Sequence, residues 1–156
     1  MAVGEVLKEA LLVVETFTVK ADEDIEKGEL VCDDGAGDGI VAATAALAVA
    51  EKVYMALEAH VYADETVHTI QCVVVGYVEA QKVSGSGAAQ QGDKLMISGT
   101  AGEVTKFVKG VMPAADTYNT VAAQAAIDTN AGVVGTAMNT TLDATLTQKM
   151  LLGVIG

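Results

Sequence analysis

The sequence contains no arginine and no tryptophan, and its nine basic residues are all lysines, against 21 acidic residues and a net charge of −12. Arginine supplies the planar fork that grips phosphate and reads guanine, and a positive field draws proteins to nucleic acids. A strongly acidic chain without arginine lacks both features. The composition therefore argues against DNA, RNA and anionic membranes as partners.

Long hydrophobic runs are also absent. The longest stretch without a charged residue, Thr129 to Leu142, is shorter than the about 20 apolar residues that span a bilayer, and it contains Asn, Gly and Thr. Glu5, Lys8 and Glu9 interrupt the segment where a signal peptide would carry a continuous apolar run. We therefore expect a product made in the cytoplasm that spans no membrane.

Cysteine and histidine are scarce. Cys32 and Cys72 are too few for a disulfide framework and lack the spacing of metal ligands, so reduced, partly buried thiols are expected. His60 and His68 could join Cys72 in a metal or nucleophile site, but no fourth ligand has a suitable spacing. No catalytic or phosphate-binding motif is present. The sequence predicts no catalytic residue, no cofactor and no metal site.

The acidic, glycine-rich stretch from Asp22 to Gly39 imitates one known binding loop. Asp34, Asp38 and Gly39 match the start of a calcium loop, but the last ligand position falls on Ala45 instead of glutamate. We interpret the stretch as a solvated acidic turn.

Glycine clusters separate short segments of β character, which is typical of a chain with many short strands. The segment from Val53 to Tyr62 alternates, with Val61 on the apolar side and His60 on the polar side. This alternation and the apolar run of Thr66 to Val78 predict a hairpin whose second strand is central and buried on both faces near its C-terminal end. The alanine-rich stretches Val41 to Lys52 and Ala114 to Ile127 are compatible with short helices.

An internal repeat is visible in the order of these segments. The segment GELVCDDGAGDGIV, from Gly28, matches GDKLMISGTAGEVT, from Gly92, and QCVVVGYV, from Gln71, matches QKMLLGVI, from Gln148. The offset grows from 64 to 77, which predicts extra residues near Met112 to Asp128. We expect an all-β fold with at most short helices: an N-terminal arm (1–15) and one β-barrel domain (16–156) built from two similar β units, about 16–80 and 81–156.

Charge divides unevenly between the two halves. Residues 1–78 hold 15 acidic residues and 4 lysines, whereas residues 79–156 hold 6 acidic residues and 5 lysines. The first half therefore carries a net charge of −11 and the second only −1. We expect one acidic surface for solvent and one weakly charged surface for a partner.

The succession of phrases resembles the small capsid decoration (cement) proteins of tailed viruses, of phage or archaeal origin. The phrases are TFTVKADEDIEKGELVCDDG, GIVAATAA, VYMALEAHVYADETVHTIQCVVVGYVEAQ and AAQQGDKLMISGTAGEVTKF. This resemblance implies a β-barrel or β-tulip protein without enzymatic activity that binds the outside of a capsid shell, as a homotrimer at threefold or quasi-threefold sites, and stabilises the shell. The long N-terminal arm and the extended second-copy linker depart from the family.

The expected partners are the major capsid protein and other copies of the chain, and the expected location is the outer surface of the virion. The N-terminal arm could be a helix, a strand added to a neighbouring sheet, or an ordinary first element of the barrel. The predicted contact residues lie in this arm and on a lysine-bearing surface: Val3, Val6, Leu7, Leu11, Lys82, Lys94, Lys106 and Lys109.

Two other functions are compatible with the sequence. One is a β-barrel module that binds a small ligand or carbohydrate, and the other is a trimeric tail or fibre domain. A nucleotide hydrolase of the dUTPase type has a similar size and glycine content, but it needs arginines for the triphosphate.

Overall fold

The computed structural model describes residues 6–85, 87–115 and 119–153, with side chains from Leu12 onward. This part of the chain is mostly β-structure with two helices, as the sequence predicts. The elements in chain order are β1 Val6–Thr18, β2 Leu30–Asp33, β3 Ile40–Ala42, α1 Leu47–Ala50, β4 Val53–Ala56, β5 Thr69–Gln81, β6 Lys94–Ile97, β7 Val104–Lys106, α2 Thr120–Ala131, β8 Val133–Ala137 and β9 Thr147–Leu152.

The strands form one curled antiparallel sheet, a half-barrel in the order β3-β2-β4-β5-β9-β8-β6-β7, and β1 pairs with β5. The strand β5 is central, because it pairs with β1, β4 and β9. Burial on both faces lies slightly later than predicted: Val74, Val75 and Tyr77 are half-buried, and the residues from Val78 to Ala80 are buried. No helix among the described residues has the length and apolar character needed to cross a membrane.

The ladders of the first half recur in the second. β2 pairs with β3 and β4, and β4 pairs with β5; likewise β6 pairs with β7 and β8, and β8 pairs with β9. Single hydrogen bonds also correspond: Gly28 N–H donates to the carbonyl of Ala56, and Gly92 N–H to that of Ala137, both at 2.8 Å. We call the two sets unit 1 and unit 2.

The strand β5 belongs to both units. Its first half closes unit 1 by pairing with the end of β1. Its second half pairs with β9, and the two strands of that pair have the same relative alignment as β1 and the first half of β5. The bond from Val19 N–H to the carbonyl of His68 has its counterpart in the bond from Lys82 N–H to the carbonyl of Leu146. Lys82 therefore occupies the position of Val19.

The correspondence corrects one detail of the predicted repeat. The offset of 64 holds from Gly28 through β7, and the extra residues of unit 2 lie between β7 and β8, where the predicted linker is. The offset differs in the last strand of each unit. In unit 1, Leu57 N–H donates to the carbonyl of Gln71, and in unit 2, Met138 N–H donates to the carbonyl of Lys149. Gln71 thus corresponds to Lys149, and the predicted pairing with Gln148 is wrong by one residue.

Both alanine-rich stretches contain a helix, as predicted. The longer helix, α2, begins after Asn119, whose side chain accepts a hydrogen bond from Ala122 N–H at 2.8 Å. It ends before Gly132 and buries Ala123 and Ala126, one helical turn apart. Gly110 lies against this helix, since a β-carbon there would be 2.7 Å from the carbonyl oxygen of Ala126.

The predicted hairpin forms between β4 and β5, but β4 ends at Ala56. The alternation of Val53 to Tyr62 predicted an outward His60 and an inward Val61, and this is wrong: His60 is fully buried and Val61 is 43% exposed. The reason is that His60 leaves the β4–β5 ladder and exchanges both backbone hydrogen bonds with Ile25.

The two units have differently composed interiors. Unit 1 is filled by an apolar cluster, whereas two of the corresponding positions in unit 2 are polar: Lys82 replaces Val19 and Gln148 replaces Ile70. The interior side chains also differ in volume, since Ala89 stands where unit 1 has Ile25. The buried unit 1 residues are Val19, Ile25, Val31, Ile40, Ala56, Ile70 and Cys72, and their unit 2 counterparts are Lys82, Ala89, Leu95, Val104, Ala137, Gln148 and Met150.

Both cysteines are free and fully buried. Burial raises the pKa of the Cys32 thiol to about 11 and that of Cys72 to about 12. Because the thiolate is the reactive form, we expect neither thiol to react with Ellman's reagent at pH 8 in the folded protein. Both should react in denaturant. Rapid reaction of one thiol under native conditions would show that its strand opens locally.

Candidate docking surface

The predicted contact residues of the N-terminal arm are only partly described. Val3 lies outside the described residues. Val6, Leu7 and Leu11 lie in β1, whose backbone pairs with β5 from Val6 opposite Val78 to Thr18 opposite Thr69, with irregular register in between. The backbone from Val6 onward is therefore the first strand of the barrel, which is one of the three alternatives that the sequence leaves open.

The predicted lysine surface is not continuous. Lys82 is 1% exposed, and its Nζ donates to the carbonyls of Val83 and Asp143 at 3.2 Å each, so its ammonium does not reach solvent. Lys106 lies opposite Leu95 in the β6–β7 ladder, so the adjacent Lys94 projects from the other face of the sheet.

The remaining two lysines of that surface are exposed to different degrees. Lys106 is partly exposed and pairs with Asp93, with 2.9 Å between Nζ and Oδ2, and the pKa of Asp93 is lowered by the N–H of Gln90 and by this lysine. Lys109 follows β7 and is exposed. The four lysines thus do not form a single basic patch.

The carboxylate of Asp34 is hydrogen-bonded within the acidic turn itself. Asp34 Oδ1 accepts hydrogen bonds from Ala36, Gly37 and Asp38 N–H, and Oδ2 lies 2.7 Å from Lys20 Nζ. Lys20 and the turn N–H groups lower the pKa of Asp34 to about 2. This bonding explains the glycine-rich sequence as turn chemistry.

The two histidines do lie together. His60 Nε2 is 3.3 Å from His68 Nδ1, and His60 Nδ1 is 3.2 Å from Glu65 Oε2. Tyr62 stacks on His68 with ring centroids 3.9 Å apart. Within the described residues no group of three His, Cys, Asp or Glu side chains is placed to hold a metal. The cluster fastens the loop between β4 and β5.

An open groove of about 410 Å³ lies between α1 and α2. Its walls come mainly from small or apolar side chains, including Ala46, Val49 and Met96, and Asp128 and Thr129 lie at one side. A site that orients a small ligand needs several converging polar groups. This groove has few of them.

Corresponding loops of the two units form one surface in each unit. In unit 1, residues 20–28 and 57–68 are joined by the Ile25–His60 bridge, and we call this surface the unit-1 cap. In unit 2, residues 83–91 and 138–146 are joined by the Ala89–Thr141 bridge, and we call it the unit-2 cap. Ser86 of the unit-2 cap lies outside the described residues.

The two caps differ sharply in charge. The unit-2 cap has Asp143 as its one charged residue, whereas the unit-1 cap contains the lysines Lys20 and Lys27 and seven acidic residues. The side chain of Asp143 accepts a hydrogen bond from Gly87 N–H, and its carbonyl accepts from Lys82. The seven acidic residues of the unit-1 cap are Asp22, Glu23, Asp24, Glu26, Glu58, Asp64 and Glu65.

The unit-2 cap also exposes two large apolar side chains, Leu142 at 75% and Leu146 at 65%. Complete burial of both would contribute about 3–6 kcal/mol, whereas association alone costs roughly 4–15 kcal/mol. The two leucines can therefore strengthen a larger contact but cannot hold two free molecules together. Sequence reasoning missed them, although Leu142 ends the longest uncharged stretch of the chain.

Comparison with known proteins gives no family for this chain. No protein-family model matches it, and a search of curated proteins finds no match.

Proposed function

We propose that the chain is a capsid decoration protein that binds the outer surface of a tailed-virus shell, as a homotrimer at threefold or quasi-threefold sites, and stabilises it. The observation that carries the proposal is the unequal charge of two caps with the same backbone plan. A decoration protein needs one face that tolerates burial against the shell and another that stays in solvent. The sequence resemblance to the decoration family points to the same function.

Exposed apolar residues outside the caps support contacts between copies. Five large aliphatic side chains are half or more exposed in the segment before α2 and in α2 itself, which belongs to the unit 2 insertion. Charged side chains are few there, so copies of a chain with a net charge of −12 can approach through this segment. The residues are Val108, Val111, Met112, Val121 and Ile127.

Shell stabilisation follows from binding linkage. A protein that binds the assembled shell, but not its separated subunits, raises the free energy of disassembly as its concentration exceeds the dissociation constant. No chemical step is involved, and the proposed protein is not an enzyme.

The test is co-sedimentation of the purified chain with expanded empty shells from a panel of tailed viruses. We expect saturable binding to at least one shell, with a stoichiometry set by its threefold and quasi-threefold sites, and a rise in that shell's disassembly temperature. The heat-unfolded chain is the control. Failure to bind any shell at saturating concentration would contradict the proposal.

The α1–α2 groove gives the ligand-binding module one favourable observation, because its volume suits a small molecule. Its lining offers Asp128 and Thr129 as the main hydrogen-bonding side chains, whereas sugars require many. We therefore place decoration first.

A further inference from the structure

We propose that the unit-2 cap is the surface that docks on the shell, with Leu142 and Leu146 entering an uncharged, apolar depression of the shell protein. The unit-1 cap then faces away from the shell. This inference rests on the proposed function and names the docking surface that the function needs.

The first argument is charge. The core of a protein interface is depleted in charged residues, because a buried charge without a partner loses its hydration. The unit-1 cap would bring seven carboxylates to the contact, and all of these residues except Glu23 are exposed. The unit-2 cap brings one, and Asp143 already accepts the Gly87 N–H. Docking through unit 2 therefore leaves few charges to desolvate.

The second argument is that the two leucines stand on a fixed loop. Thr141 Oγ1 donates to Gln148 Oε1 at 2.7 Å in the buried interior, and Gln148 Nε2 donates to Asn139 Oδ1 at 2.8 Å. Lys82 Nζ holds the carbonyl of Asp143 from beneath. Rigid presentation lowers the ordering cost of binding.

These bonds also explain the polar interior of unit 2. Lys82 and Gln148 occupy positions where unit 1 has Val19 and Ile70, and both side chains bond to the loop that carries the leucines. The corresponding loop of unit 1 is held differently, by contacts among its own side chains: Glu65 with His60, and His60 with His68. The internal polar groups therefore serve the loop surface that we assign to docking.

The shell fits this cap better than a second copy does. A stable complex buries about 800 Å² on each partner, and around the leucines the cap offers mostly Gly, Ala, Ser, Thr and Gln. A standard interface uses about 20–30 residues on each partner, and the cap, residues 83–91 and 138–146, contains fewer. On a shell, contacts from other parts of the chain and from neighbouring copies add to it.

The test compares two matched double variants in the shell-binding assay. Leu142→Asp with Leu146→Asp should weaken shell binding about 100-fold. Val61→Asp with Val67→Asp, on the unit-1 cap, should change it less than threefold, because Val61 corresponds to Leu142 but lies on the acidic cap. All four side chains are exposed, so both variants should keep the circular dichroism spectrum and melting temperature of the wild type.

A second variant separates loss of contact from charge repulsion. Leu142→Ala with Leu146→Ala introduces no charge and should still weaken binding about 10-fold. If the wild type binds no shell, the proposed function fails, and this inference with it. If the wild type binds and the leucine variants bind equally well, or the valine variant is impaired as much, only the docking surface is wrong. A dimer of the free chain that the leucine variants dissociate, with shell binding intact, would assign the cap to self-association and overturn the inference.

Discussion

Replacing Gly39 with alanine should lower the free energy of unfolding by about 3–5 kcal/mol. Gly39 has a φ of 145°, and a β-carbon there would lie 2.7 Å from the backbone nitrogen of Lys20 and 3.0 Å from the carbonyl oxygen of Thr18. Both are main-chain atoms at the end of β1, so the clash cannot be relieved by rotating a side chain. The strand end would have to move away from the edge strand β3, which it meets at the Val19–Ile40 bridge.

The matched control is Gly37→Ala in the same turn. Gly37 also has positive φ, 82°, but a β-carbon there meets no atom within 4 Å. Only the conformational cost of about 1 kcal/mol should remain. Urea unfolding followed by circular dichroism gives both values. Equal stability of the two variants would mean that β1 and the turn do not approach as closely as described.

Lys82→Ala should cost about 3–4 kcal/mol of unfolding free energy. The substitution removes a fully buried aliphatic stem from the unit 2 interior and leaves the carbonyls of Val83 and Asp143 without their lysine donor. The small Ala89 nearby in the same interior cannot fill the space. Chemical unfolding at neutral pH measures the loss.

Lys82→Met is the control for this second substitution, because it restores most of the volume without the ammonium. We expect it to recover about half of the lost stability, and the remainder reports the two carbonyl bonds. If Lys82→Ala were as stable as the wild type, the side chain would have to lie in solvent. The predicted basic surface would then regain Lys82.

The turn chemistry made much of the fold predictable. The repeat aligns correctly from Gly28 and Gly92 through β3 and β7, because both glycines have positive φ and the β2–β3 and β6–β7 ladders follow them at the same spacing. Alignment of the last strand failed by one residue, because Gln and Gly recur at the same spacing in both segments, at Gln71 and Gly76 and at Gln148 and Gly153, and favoured the shifted register. The alternation after Ala56 failed because a long-range pairing with Ile25, invisible in local sequence, turns His60 inward.

The candidate site was less predictable than the fold. The charge count identified the second half of the chain as weakly charged, but the contact residues predicted there were lysines. Nothing near Lys82 in the sequence signals burial; only its correspondence to Val19 in the folded repeat does. The sequence around Leu142 and Leu146 does carry a signal, since the two residues flank a turn in a nearly uncharged stretch. Their exposure, however, is evident only from the structure.

The double membership of β5 has a consequence for folding. In tandem repeats joined by linkers, one copy can melt while its neighbour stays intact. Here any cut within Thr69–Gln81 removes a strand from one unit, and a one-residue slip of β5 would turn its side chains to the wrong face in both units at once. The two units should therefore fold and unfold as one cooperative whole, and changes in β5 are constrained by two interiors instead of one.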